Sequence, residues 1–100
     1  MRYDKIVYFA VEGKRIYDPA TGDYKDAQPI LAEKDAAVMD TQEETMQMVY
    51  GAIRQGSLTI HLQNHYDDPF DYIQYEGRKY RVDYSRRLRV KHTFVVSEVM

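Results

Sequence analysis

His61, His65, Asp67 and Asp68 are the first residues of this chain to suggest chemistry, because imidazole and carboxylate groups so close together could hold a divalent cation. Their spacing argues against it. Ser57–Gln63 alternates apolar and polar residues and predicts a strand, on which His61 and a residue four positions on share a face but lie ~13 Å apart. Metal ligands must sit ~2 Å from one ion, so a site would need a sharp bend after Gln63. Asn64–Pro69 reads instead as a solvated polar loop, and neither an HExxH helix nor a DxDxDG calcium loop is present. The carboxylate pairs Glu43–Glu44 and Asp67–Asp68 are adjacent in sequence and so point apart. Ser57 follows Gly56 without the G-x-S-x-G elbow of a nucleophilic serine, and Ser85 and Ser97 have no such setting either. The five glycines are isolated, which leaves no phosphate-cradling loop, and the lack of cysteine removes thiolate and disulfide chemistry. The expectation is a protein that is not an enzyme, with no cofactor and no metal. His92 falls in phase with Leu88, Val90, Phe94 and Val96, so it is either a pH-sensitive group or a hydrogen-bonded histidine at the core's edge.

Charge carries more information. Arg78–Lys91 holds seven of the 14 basic residues and one acid, Asp83, in a chain of net charge −2. That segment is therefore +6 and the remainder −8. If the hairpin strand and the last strand are neighbours, Lys79, Arg81, Arg87, Arg89 and Lys91 form one face interleaved with Tyr80 and Tyr84. Such a face could track phosphates and stack bases, which is the alternative reading of the chain as a small nucleic-acid-binding β-barrel. Against it, no RNP motif is present and residues 18–76 carry 12 acids against three bases. Surface pairing of these cations with nearby acids is a plainer reading. A third uses both signs: complementary faces on one molecule assemble head to tail into a ring.

The elements that must position these residues are mostly strands. Lys5–Val11 reads as a strand buried on both faces, Glu12–Gly13 as a turn and Lys14–Tyr17 as a short return strand. Asp18–Asp23, with Pro19 and Gly22, is a turn that makes Tyr17 and Tyr24 hairpin partners. Ala27–Val38 has Ile30, Ala32, Ala36 and Val38 at period two, broken by Lys34. Thr41–Gln55 switches period: Met46, Val49, Tyr50 and Ile53 recur at helical spacing, with Thr41 and Glu44 as a capping box and Gly56 at the C-terminal cap. Ile73–Val82 is a two-residue hairpin about Glu76–Gly77, placing Ile73 opposite Tyr80 and Tyr75 opposite Arg78. Arg87–Val99 reads as one long strand that bends near Lys91–Thr93, with Leu88 and Val90 in the core.

One hundred residues with ten tyrosines, no tryptophan and 44% hydrophobic content make one domain with a thin, aromatic-rich core. No apolar run approaches the ~20 residues of a bilayer span, and the start of the chain does not read as a signal peptide. The fold expected is mainly β: a small antiparallel β-barrel or rolled sheet of six to seven strands over residues 1–100, with one short inserted helix near 41–55.

The order of an aromatic strand leading into Tyr17-Asp18-Pro19-Ala20-Thr21-Gly22, a capped mid-chain helix, Ile73-Gln74-Tyr75-Glu76-Gly77-Arg78-Lys79-Tyr80-Arg81-Val82 and a last strand closing on Phe94-Val95-Val96-Ser97-Glu98-Val99 resembles the head–tail connector proteins of long-tailed bacteriophages. These are also called head-closure (stopper) or minor capsid proteins. The resemblance covers nearly the whole chain as a pattern of elements. It implies a virion protein, made in the bacterial host cytoplasm, that forms a ring below the portal or adaptor ring, meets a tail terminator or tail completion protein and lies near packaged DNA, with no membrane. In such an assembly the basic face read from the charge pattern, Lys79, Arg81, Arg87, Arg89 and Lys91, is the expected interface with an acidic surface on a neighbour. The resemblance also implies a channel- or partner-facing segment, Lys34–Met48, with Lys34, Asp35, Asp40, Glu43 and Glu44, where this chain has a helix in place of the family's flexible loop.

Overall fold

The computed structural model describes residues 2–13, 15–26 and 29–99, with backbone only for 15, 16 and 24–26. Lys14, Ala27 and Gln28, which begin two of the expected strands, lie outside the described residues. The strands are β1 (Lys5–Val11), β2 (Arg15–Asp18), β3 (Asp23–Asp26) and β4 (Ile30–Asp40); helix α1 (Glu43–Tyr50) follows, then β5 (Ser57–Leu62), β6 (Tyr72–Tyr75), β7 (Arg78–Arg87) and β8 (His92–Glu98). Six strands close into an antiparallel barrel in the order β1-β4-β5-β8-β7-β6, as the alternating patterns led us to expect. Closure hides the polar edges that an open sheet of this size would leave to solvent.

Inward residues of alternate positions fill the barrel: Val7 and Phe9 from β1, Ile60 and Leu62 from β5, Ile73 from β6, and Phe94 and Val96 from β8. The best-packed part is aromatic. Tyr66 stacks on Phe9 with ring centroids 3.9 Å apart, while Phe70 and Phe94 meet Phe9 edge-on at 4.9 and 5.4 Å. Stacked and edge-on pairs of this kind add about 0.5–1.5 kcal/mol each beyond area burial. Tyr66 corrects the reading of Asn64–Pro69 as a purely solvated loop: its ring is buried and plugs one end of the core. β1 is likewise not buried on both faces, because Ile6 and Val11 are exposed.

The β6–β7 hairpin has the expected register, Ile73 opposite Tyr80 and Tyr75 opposite Arg78. Its two turn residues, Glu76 and Gly77, both have positive φ (50° and 74°), which gives the backbone twist that suits a two-residue hairpin. Three other expectations are corrected. The helix ends at Tyr50 rather than Gln55, because Gly51 takes the left-handed conformation and its N–H bonds the Gln47 carbonyl. Thr41 does not cap the helix: Gln42 occupies the N-cap without a side-chain bond, and Thr41 is buried against β5. The long last strand is in fact the end of β7, a reversal at residues 88–91 closed by the Leu88 N–H to the Lys91 carbonyl, and β8. An even-numbered reversal preserves parity, so Leu88 and Val90 keep step with Phe94 and Val96 in sequence yet stand exposed.

β2 and β3 form a separate hairpin, with Tyr17 opposite Tyr24 as expected. This arm joins β1 to β4 and, among the described residues, makes no extensive contact with a barrel strand. It stretches the chain to 54 × 29 × 21 Å with a radius of gyration of 16.0 Å, against ~13 Å for a compact chain of this length. Because neighbouring strands alternate in direction, the connections fall at two ends of the barrel. The chain start, α1 and the β6–β7 turn share one end; the arm, residues 63–71 and the β7–β8 turn share the other.

Phe9 sits at the centre of this packing, so Phe9→Ala should destabilise the fold by about 3–5 kcal/mol, read as a lowered midpoint in urea unfolding. Ile30→Ala, at a position 72% exposed, should change stability by no more than about 0.5 kcal/mol.

Candidate interaction surface

The five cations expected to form one face do not share one. Lys79 lies on the outside of the hairpin, 3.1 Å from Glu12 and over the Tyr72 ring. Arg81 donates from Nε to Asp83 at 2.9 Å. A β-bulge between Val82 and Tyr84 then shifts the phase of β7. Tyr84 and Arg86 consequently face outward, level with Val95 and Thr93, while Arg87 turns toward the barrel mouth and pairs with Asp67. Arg89 and Lys91 lie in the β7–β8 turn. With Arg78 3.6 Å from Glu98, four of the seven cations of the tract are already ion-paired. Arg86, Arg89 and Lys91 have no ion-pair partner among the described residues, and they gather at the arm end.

The segment with Lys34, Asp35, Asp40, Glu43 and Glu44 also divides. Lys34 and Asp35 line a small cavity of about 200 Å³ beside Gln63–Tyr66, and the Lys34 ammonium is 5.8 Å from the Tyr66 ring. Asp40 closes β4 at the opposite end, and Glu43 and Glu44 form the first turn of α1 beside it. Asp40, Glu43 and Glu44 therefore lie toward the α1 end, and Arg86, Arg89 and Lys91 toward the arm end.

Between these two ends runs a groove of about 360 Å³ on the outer face of β4, β5, β8 and β7. Met39, His61, Val95 and Tyr84 form its floor, with Met48 of α1 at one end and Leu88 at the other. Met48 is 65% exposed, and Met39, Tyr84 and Leu88 are exposed as well. The alternation of β5 placed His61 outward and the helical stripe left Met48 off the apolar face, but nothing local marked Leu88 as surface: the reversal at residues 88–91 decides it.

A hydroxyl network, which no spacing motif signalled, fixes α1 over one end of this groove. Tyr50 donates to Asp83 at 2.6 Å and lies 3.3 Å from Ser57 Oγ; Thr41 Oγ1 is 2.8 Å from Ser57 Oγ and 3.0 Å from Thr59 Oγ1. Burial pushes the Asp83 carboxyl up, but hydrogen bonds from Ser97, Tyr50 and Arg81 outweigh it and hold it below its usual value. Burial raises the Tyr50 phenol and its bond to Asp83 raises it further, so the ring stays protonated. This is a set of donors and acceptors satisfying one another, with Ser57 buried among them. Arg54 lies over the outer side of the Tyr50 ring, 5.2 Å away.

The histidines are structural too. His92 is 5% exposed, and its Nδ1 accepts the Tyr66 N–H at 3.1 Å. His65 donates from Nε2 to the Leu88 carbonyl at 2.6 Å, pinning residues 63–71 to the β7–β8 turn. His61 Nδ1 is 2.9 Å from Thr93 Oγ1. Among the described residues, no three His, Asp or Glu side chains converge on one point that a metal could occupy. No helix is long and apolar enough to cross a membrane.

Removing the Tyr50 hydroxyl should release α1: Tyr50→Phe leaves Asp83 one donor short and should cost about 1–2 kcal/mol, with faster amide exchange confined to residues 43–50. The histidines predict a pH response. Burial, then Arg87 and His65, lower the His92 pKa; burial, then Lys91, lower that of His61. Both bind protons more readily when unfolded, so their stabilisation is full above the unfolded value of ~6.5 and is lost as pH falls through the folded values. Urea midpoints should decline from about pH 7 to about pH 5, and His92→Gln should flatten the decline; an unaltered slope would contradict the role given to His92. Asp83 has the same sign, but its contribution is lost only below about pH 4.

No family model matches this chain and no curated protein matches it in sequence.

Proposed function

We propose that this chain is a structural subunit of a phage or prophage head–tail connector, joining the portal or adaptor ring to the tail and helping to close the DNA-filled head. The observation that carries the proposal is the β2–β3 arm. It forms a sheet separate from the closed barrel, makes no extensive contact with the barrel strands among the described residues and leaves the chain 54 Å long. An element ordered in this way has its use outside its own domain, and rings of small subunits are held by such exchanges. Asp40, Glu43 and Glu44 at one end of the barrel and Arg86, Arg89 and Lys91 at the other support the same reading, because they give each subunit two unlike surfaces for its neighbours. The resemblance in the order of elements supplies the setting: portal or adaptor on one side, tail completion protein on the other. The reading assigns the protein no catalytic step, and its home is the virion.

Arg86, Arg89 and Lys91 beside Tyr84 favour a second reading, contact with a nucleic acid. It ranks behind the first because the paired cations Arg78, Lys79, Arg81 and Arg87 are neutralised by the protein's own acids.

Deleting the gene from the element that carries it should yield DNA-filled heads without tails, or heads that have lost their DNA, in negative-stain electron microscopy. Arg89→Glu with Lys91→Glu should reproduce that defect in the full-length protein. Tailed, infectious particles from the deletion would refute the connector reading. Fluorescence anisotropy with single- and double-stranded DNA at two salt concentrations tests the second: phosphate contact must weaken steeply with salt, and no binding at low salt removes it.

A further inference from the structure

Helix α1 covers only part of the outer sheet face. Its Tyr50 hydroxyl holds it to Asp83 and Ser57, and the groove of about 360 Å³ continues that face beyond the helix. Cross-strand register builds the floor from two rows: Met39, Thr59, Val95 and Tyr84, then His61, Thr93 and Arg86. Met39, Met48, Tyr84 and Leu88 leave apolar surface exposed along it. The two ends differ in charge. Asp40 lines the α1 end, with Glu43 and Glu44 in the first turn of the helix; Arg86 lines the other end, with Arg89 and Lys91 in the turn beyond it.

We propose that two copies of the chain pair through this face about a two-fold axis, each laying α1 in the groove of the other. An axis through the middle of the groove reverses one copy against its partner. The acidic end of each copy then meets the basic end of the other, and Met48 of each approaches the partner's Leu88. Shape agrees. The floor crosses four strands, ~14 Å between the outer two at a spacing of ~4.8 Å, and a helix is ~10 Å across. α1 stands over one end of the face and leaves the rest open, so two reversed copies interlock as two steps do. A head-to-tail contact between the same ends would make the charge contact once and leave both apolar floors in water. The two-fold contact makes it twice and covers both floors. Apolar burial drives such an association, and charge complementarity fixes its register. The contact is isologous, with the same patch used by both copies. It concerns the free protein and does not rest on the connector reading.

Sedimentation velocity of the full-length protein at rising concentration should show monomer passing to dimer. Asp40→Lys with Glu44→Lys makes both ends of the groove net basic, and Arg86→Glu with Arg89→Glu makes both net acidic. All four positions are exposed, so each variant should keep the circular dichroism spectrum of the parent. Each alone should stay monomeric at the concentration where the parent is half dimer, and an equimolar mixture of the two should recover the dimer. The chain has no cysteine, so Met48→Cys with Leu88→Cys in one chain reports how the contact closes. Under mild oxidation the two-fold contact stops at a covalent dimer, whereas a head-to-tail contact gives a ladder of higher oligomers. A parent chain that is monomeric at every soluble concentration leaves the groove to a different partner and overturns the inference. So does a dimer that either charge reversal leaves intact, a mixture that stays monomeric, or a double-cysteine protein that gives a ladder or no cross-link.

Discussion

The fold depends on a short seam. β1 and β6 meet through only three residue pairs, Tyr8 with Gln74, Phe9 with Ile73 and Ala10 with Tyr72. The Asp71 N–H extends the seam to the Ala10 carbonyl at 2.7 Å, and the Asp71 carboxylate accepts the Glu12 N–H at 2.7 Å. Without this closure β1 and β6 would be free edges, and the core would lie open along one side. Phe9 stands in the middle of the seam, so the residue that closes the sheet also anchors the aromatic cluster with Tyr66, Phe70 and Phe94. Closure and core packing are therefore one event here, and both involve residues far apart in sequence.

A closed barrel leaves only its connections and its outer face for contact with others. In this chain those parts are treated unequally. Residues 63–71 are drawn inward by Tyr66 and tied to the β7–β8 turn by His65. Helix α1, which buries none of its residues fully, is tied to the wall by the Tyr50–Asp83 bond and the hydroxyls of Thr41, Ser57 and Thr59. The arm is instead built of short strands that pair with each other as a separate two-stranded sheet.

Charge follows the same logic. A run of cations in sequence becomes a surface only after strand phase, bulge and turn have distributed it. Arg78, Lys79, Arg81 and Arg87 each find a carboxylate, and pairs so exposed contribute about 0–1 kcal/mol each. What remains for recognition is the smaller set at the β7–β8 turn, set against the acids at the α1 end.

Much of this was legible in the residues. The alternation in Ser57–Gln63, the Glu76–Gly77 turn with its register and the Tyr17–Tyr24 pair were readable because strand period and turn chemistry are local properties. The mainly β architecture with one inserted helix followed from them. The helix end was misplaced because two glycines, both left-handed in the structure, compete for the cap, and only Gly51 donates its N–H back to the helix, at the Gln47 carbonyl. The turn at 88–91 was invisible because it preserves parity, and the bulge at Asp83 because one extra residue has no signature beyond a shift of phase. The candidate surface depended on both, so the single basic face read from sequence was divided by the fold. Sequence alone determined that the chain is mainly strands, which residues face inward along β5 and across the β6–β7 hairpin, and how strongly charge is segregated. Tertiary structure decided where the sheet closes, which cations meet carboxylates and which apolar side chains stay exposed, because each of those depends on distances between strands that no local pattern contains.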